Sequence, residues 1–163
     1  GEIDNSSASM IIRELRWMEQ HDKKEITVLI NSPGGSAYQS LGIYDYLNYL
    51  RRDKDIFVVA KVVGWAASAA SMIVLQGADK RLAFPNARFL LHEARRWLFM
   101  ASERTSDMED EMKEMKALTS IIEGILSFRT GKAKEEIKEL IERKETWMGP
   151  EEAREWGLID AII

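Results

Sequence analysis

Two short apolar runs, residues 26–31 and 57–63, each stop at glycine and hand over to a segment of helical character. The first ends at Ser32-Pro33-Gly34-Gly35, and Tyr38, Leu41, Tyr44 or Leu47, and Leu50 then recur at three to four. That spacing predicts an amphipathic helix. The second ends at Gly64 and leads into residues 66–75, a run of small side chains closed by Met72-Ile73-Val74-Leu75. A helix of that composition can be approached on nearly every side, which suits a central position. Strand-to-helix units in succession predict an α/β fold with crossovers.

The remaining chain continues the alternation. Residues 9–19 carry Ile11, Leu15 and Met18 at helical spacing. Residues 81–84 and 88–91 read as short strands separated by Pro85-Asn86. A charged helix follows, with Met108, Met112, Met115, Leu118, Ile122 and Ile125 on one stripe. Ser106 with Glu109 has the form of a capping box at its start, and Gly131 is a stop. A short helix is expected around Ile137, Leu140 and Ile141. Pro150 opens a last helix that Gly157 closes, before a terminal strand at 158–163. No repeat or linker divides the 163 residues, so a single domain is expected.

Composition narrows the chemistry. There is no cysteine, which removes thiol nucleophiles, disulfides and cysteine-based metal sites. The two histidines, His21 and His92, are too few for a His-rich metal centre, and no cofactor is expected. A balance of 23 basic against 27 acidic residues shows no basic bias toward nucleic acid. No apolar run approaches the roughly 18 to 20 residues of a membrane span.

A serine or threonine with a histidine is one of the few routes left to nucleophilic chemistry. The turn Asn31-Ser32-Pro33-Gly34-Gly35-Ser36 can present backbone N–H groups to an anion or a transient oxyanion, or be a tight turn alone. It lacks the lysine of a phosphate loop. Ser68, in Gly64-Trp65-Ala66-Ala67-Ser68, lies just past a strand, where a nucleophile is usually presented but where a lone serine is more often a structural helix cap. His92 ends the apolar run Phe89-Leu90-Leu91, whereas His21 sits in a polar loop. If either histidine does acid–base work, it is His92.

Taken in order, these strings resemble the proteolytic subunit of the Clp protease, the ClpP family. Ile30-Asn31-Ser32-Pro33-Gly34-Gly35, Ile43-Tyr44-Asp45 and Gly64-Trp65-Ala66-Ala67-Ser68 carry the first part of the likeness. Gln76-Gly77-Ala78, Lys80-Arg81, Phe84-Pro85-Asn86-Ala87-Arg88 and Leu91-His92 follow. Thr130-Gly131 and the closing segment from Pro150 to Asp160 complete it. The resemblance implies a ClpP/crotonase-like spiral of β-β-α units, with a helix-strand handle at about 93–131. It also implies a cytoplasmic serine endopeptidase that degrades unfolded polypeptides. Its subunits would form a ring of about seven, stacked as a double ring, with a Clp-type AAA+ ATPase as partner. Position by position, Ser68 matches the nucleophile and His92, 24 positions later, the general base. Gly35 and Ala69 match the two backbone donors of the oxyanion hole.

Two departures from the pattern bear on mechanism. The family's third triad member is an aspartate before the final helix, and none occurs there. Counting forward from Gly131 reaches Lys144, and counting back from Gly157 reaches Glu145. Glu145 is the expected third member, since glutamate can orient a histidine as aspartate does. The family's glycine-rich strand after the histidine is replaced by Arg95-Arg96-Trp97-Leu98-Phe99-Met100, either core or an interface. Two alternatives stay open: an inactive ClpR-like ring subunit, and a crotonase-type acyl-CoA enzyme.

Overall fold

The computed structural model describes residues 1–21, 23–93, 105–142 and 144–163, with 105–108 as backbone only. Helix α1 spans Asn5–Gln20, earlier than the expected 9–19. The polar run before it is a reciprocal cap. Ser7 donates its amide to Asp4 Oδ1 at 2.7 Å, and the Asp4 amide donates to Ser7 Oγ at 2.9 Å. Strand β1 (Glu25–Ser32), α2 (Ala37–Asp53) and β2 (Phe57–Ala67) follow.

β2 organises the sheet. β1 lies parallel along one edge. The other edge is shared: β3 (Lys80–Ala83) pairs with Val59 to Val62, and β4 (Arg88–His92) pairs with Trp65 to Ala67. Pro85 and Asn86 fall at the step between these two collinear strands, where a missing ladder N–H does no harm. With neighbours on both edges and both faces covered, Val58, Val59, Ala60 and Val62 are all buried, and half-buried Lys61 alone interrupts an apolar run that does not alternate.

The small-residue stretch is placed differently from the expectation. Ala66 and Ala67 belong to β2, and helical structure begins only after Ser68. It forms one wide π-type turn, Ala70–Val74, then a 3-10 turn, Leu75–Gly77. Composition marked these residues as helix, but pairing of Ala66 and Ala67 with Phe89 and Leu90 decides for strand. The central position is as expected. The segment packs against α2, β2, β4 and α3 (Thr105–Thr130), with Met72, Ile73 and Leu75 essentially inaccessible.

After α3 come α4 (Lys134–Ile141), β5 (Glu145–Met148), α5 (Pro150–Glu155) and β6 (Ala161–Ile162). β5 runs antiparallel to β4 and closes that side of the sheet. The terminal strand is shorter than 158–163 because the residues before it turn back on β3. Asp160 accepts from the Arg81 amide at 2.6 Å and from Arg81 Nη2 at 2.5 Å. Arg81 Nη1 also donates to Gln76 Oε1 and to the Gly157 carbonyl, each at 2.8 Å. Burial works to raise the Asp160 carboxyl, but the hydrogen bonds from Arg81 outweigh it and hold the group below its usual range. Among the described residues no helix is long and apolar enough to cross a membrane. The Trp97 to Met100 run and the Ser106 side chain lie outside the described residues.

Candidate active site

The Gly34-Gly35 turn after β1 and the Ser68-Ala69 turn after β2 meet at the C-terminal ends of the two strands. Gly34 and Gly35 have φ of 89° and 143°, a region that favours glycine. Space demands glycine as well. A side chain at Gly34 would set its Cβ 2.5 Å from the Ala67 carbonyl oxygen and 2.8 Å from Ser68 Cβ. At Gly35 a Cβ would fall 2.3 Å from the Ile3 carbonyl oxygen. Ile3 donates to the Gly34 carbonyl at 2.8 Å and accepts from the Ser36 amide at 2.8 Å. In such a parallel bridge the Gly35 N–H itself is not consumed and faces away from Ile3.

Ser68 occupies the left-handed region, with φ 54°, which is uncommon for a residue with a Cβ. Several bonds hold it there. Its amide donates to the Leu90 carbonyl at 2.9 Å, and its carbonyl accepts from the amides of Ser71 and Met72 at 3.0 and 2.9 Å. Ser71 adds a brace, its fully buried hydroxyl lying 2.9 Å from the Ser68 carbonyl and 2.7 Å from the Leu90 carbonyl. That hydroxyl therefore ties the Ser68 turn to β4. Ala69 follows at the start of a helical turn, where amides lack an intrahelical acceptor.

His92 is the last residue of β4 and is half-buried. Its Nδ1 lies 2.5 Å from the Glu93 carbonyl oxygen. A carbonyl can only accept, so Nδ1 is the donor in this contact, and in the neutral imidazole that tautomer leaves the Nε2 lone pair for a base. Glu145, first in β5, stands directly opposite His92 in the antiparallel ladder. Opposite residues place their Cβ atoms about 4.5–5.5 Å apart on one face. Lys144 lies just outside the strand and does not reach the pocket. His21 is far from this chemistry, exposed at the end of α1 and stacked on Trp17 at 4.0 Å.

These groups share one pocket of about 920 Å³. Ser68, His92, Gly35, Ala69 and Glu145 all line it. Its apolar floor is built by Met72 and Ile73 from the central segment and by Met115, Leu118 and Ile122 from α3. All five residues expected from the sequence are thus brought together. Ser68 Oγ and the His92 ring are not hydrogen-bonded to each other. Such contacts are often long without substrate and tighten when it binds. Sequence reasoning missed two contributors: the Ser71 brace, visible only as a serine three positions on, and the Glu93 carbonyl, which has no side-chain signature. Among the described residues no cluster of histidine and carboxylate ligands could hold a metal ion.

Comparison with known proteins gives the family. The Clp protease family model matches residues 1–163. ATP-dependent Clp protease proteolytic subunit 2 from Frankia casuarinae is 35% identical over 164 residues, covering 99% of this chain and 72% of that one. A ClpP1 mutant from Listeria monocytogenes superposes with a TM-score of 0.87 at 26% identity, over 100% of this chain and 87% of the other. A chain matched end to end, in both sequence and fold, belongs to the Clp protease family and is a proteolytic subunit of the serine peptidase type.

Proposed function

We propose that the chain is an active serine endopeptidase, in which Ser68 is the nucleophile and His92 the general base. The observation that carries this is the convergence of a left-handed serine, a histidine with Nδ1 already committed, and two glycine-turn and helix-start amides on one pocket. Ser68 Oγ attacks the scissile carbonyl carbon while His92 Nε2 accepts its proton. The amides of Gly35 and Ala69 receive the negative charge that develops on the carbonyl oxygen. The imidazolium then protonates the leaving amine, and water repeats the sequence on the acyl-enzyme. The Glu93 carbonyl fixes the tautomer, and Glu145, opposite the ring, supplies the charge that stabilises the imidazolium.

The subunit works in the cytoplasm within a self-compartmentalised assembly, a ring of about seven stacked as a double ring through the handle at about 93–131. A Clp-type AAA+ ATPase feeds it unfolded polypeptide; the name of the Frankia relative, an ATP-dependent subunit, supports that partnership. Light scattering at micromolar concentration should give a mass many times the 18.7 kDa of one chain, and a monodisperse monomer would refute the ring. An inactive ClpR-like role is favoured by one observation, the glutamate where the family has aspartate. A fluorophosphonate probe decides between them: labelling of the wild type that is lost in Ser68→Ala establishes the nucleophile, and absence of label in both establishes the inactive subunit.

A further inference from the structure

The carbonyl that Ser71 braces belongs to the peptide whose other end is the Ala69 N–H. A trans peptide is planar, so its C=O and N–H point in opposite directions and turn together. Whatever fixes the Ser68 carbonyl therefore fixes the aim of the Ala69 amide, which meets no acceptor among the described residues. Two amides reach that carbonyl along the turn, from Ser71 and Met72 at 3.0 and 2.9 Å, and the Ser71 hydroxyl is the third donor, also at 2.9 Å. Of the three, only the hydroxyl also touches β4, at the Leu90 carbonyl 2.7 Å away. A hydroxyl has one proton to donate, so the two carbonyls share it. Leu90 stands two residues before His92 on the same strand. One buried oxygen thus spans the oxyanion donor and the strand that carries the base.

The hydroxyl is not needed to satisfy the groups around it. Ser71 is fully inaccessible, and its own carbonyl accepts from Gln76 Nε2 at 2.9 Å across the wide π-type turn. Without the hydroxyl, the Ser68 carbonyl would keep its two amide donors and the Leu90 carbonyl would keep the Ser68 amide. No buried acceptor would be orphaned, which is the usual large cost of losing a hydrogen bond. What the hydroxyl adds is direction.

We infer that Ser71 is a positioning residue of the oxyanion hole: its hydroxyl holds the Ser68–Ala69 peptide plane at the angle that aims the Ala69 N–H at the developing oxyanion. Donation to the carbonyl also polarises the peptide, which strengthens the N–H at its far end. Charge on the substrate oxygen develops only as Ser68 Oγ attacks. The contribution of Ser71 therefore falls on the transition state and not on substrate binding.

This inference rests on the Ser68–His92 peptidase reading, with Ala69 as an oxyanion donor, and its test separates the two. Ser71→Ala should lower kcat for a small fluorogenic peptide about five- to tenfold, the weight of one hydrogen bond, with KM held within about twofold. A peptide aldehyde, whose hemiacetal oxygen enters the same hole, should lose affinity by the same factor as kcat. Ser127→Ala removes another hydroxyl bonded to a backbone carbonyl, that of Lys132 at 2.7 Å, but outside the pocket. It should leave these constants at their wild-type values. Ser71→Cys keeps a weaker donor in similar space and should fall between Ser71→Ala and the wild type. Wild-type kcat in Ser71→Ala, or in Ser71→Cys where the alanine variant does not assemble, overturns the inference and leaves the peptidase standing. So does a rise in KM that accounts for the whole loss. A wild-type chain that neither hydrolyses the peptide nor takes a fluorophosphonate label sinks the peptidase, and this inference with it.

Discussion

Two polar centres of this molecule are built on opposite rules. Around Arg81 the groups satisfy one another: the guanidinium donates to Asp160, to Gln76 and to the Gly157 carbonyl, and Asp160 returns its own amide to the Arg81 carbonyl at 2.7 Å. Around Ser68 they do not. The His92 ring holds one neighbouring carbonyl, the Gly35 amide is left over from its bridge, and serine and histidine share no bond. A saturated network ties β3 to the C-terminal turn, while the unsaturated one leaves its donors and lone pair for a substrate. Beside that network, buried Arg129 Nε meets no acceptor among the described residues. Burial, together with the nearby charges of Arg81 and Arg51, lowers the pKa of that arginine.

Removing the unsatisfied centre should abolish activity and spare the fold. Ser68→Ala is expected to lower hydrolysis of small fluorogenic peptides by about three orders of magnitude or more. Its thermal unfolding and assembly should match the wild type by calorimetry and light scattering. Undiminished turnover would remove Ser68 from the mechanism. Gly35→Ala crosses the line between the two centres, because the new Cβ collides with the Ile3 carbonyl and also displaces an oxyanion donor. Activity should fall by about a hundredfold to a thousandfold, with a measurable loss of melting temperature.

The third test concerns charge beside His92. Glu145→Gln should reduce kcat by roughly a hundredfold by analogy with other triads, while Lys144→Gln changes little. Glu145→Asp pulls the carboxylate back by one methylene, so its activity reports the reach the ring requires. Full activity in Glu145→Gln would leave a Ser–His dyad steadied by the Glu93 carbonyl alone.

The smallest effect on catalysis belongs to the saturated centre. Arg81→Ala should reduce stability by on the order of 2–3 kcal/mol, less than for a fully buried pair because Asp160 is partly exposed. Peptide turnover per folded molecule should hold. The same pair sets an acid limit. Asp160 has a depressed folded-state pKa, so its contribution is complete above the ordinary carboxylate range and disappears as pH falls through the folded value. Asp160→Asn should flatten the acid side of the melting-temperature profile, and an unchanged slope would assign the acid sensitivity elsewhere.

How much of this was legible follows from how local each determinant is. The Ser32–Ser36 turn could be read because Pro33-Gly34-Gly35 is itself a local turn signal, although its glycines answer to Ile3 and Ala67 far along the chain, and Ser68 and His92 because the strings around them resemble the family's. β5 could not. Glu145-Thr146-Trp147-Met148 follows a charged run that looks like loop, and only its ladder with β4, more than fifty positions earlier, makes it a strand. Ala66 and Ala67 carry no periodicity, so β4 decided their state. The early start of α1 was hidden because Asp4 and Ser7 look like loop residues until their reciprocal bonds are seen.

The backbone of Ser68 also limits which chemistries this site could acquire by substitution. A left-handed φ of 54° is tolerated by serine but is a genuine outlier for a β-branched side chain. Threonine offers the same hydroxyl, yet its extra methyl would compete with the conformation that presents the oxygen. The site is thus open to a primary alcohol or a thiol and closed to a secondary alcohol, a restriction imposed by the turn and not by the reaction.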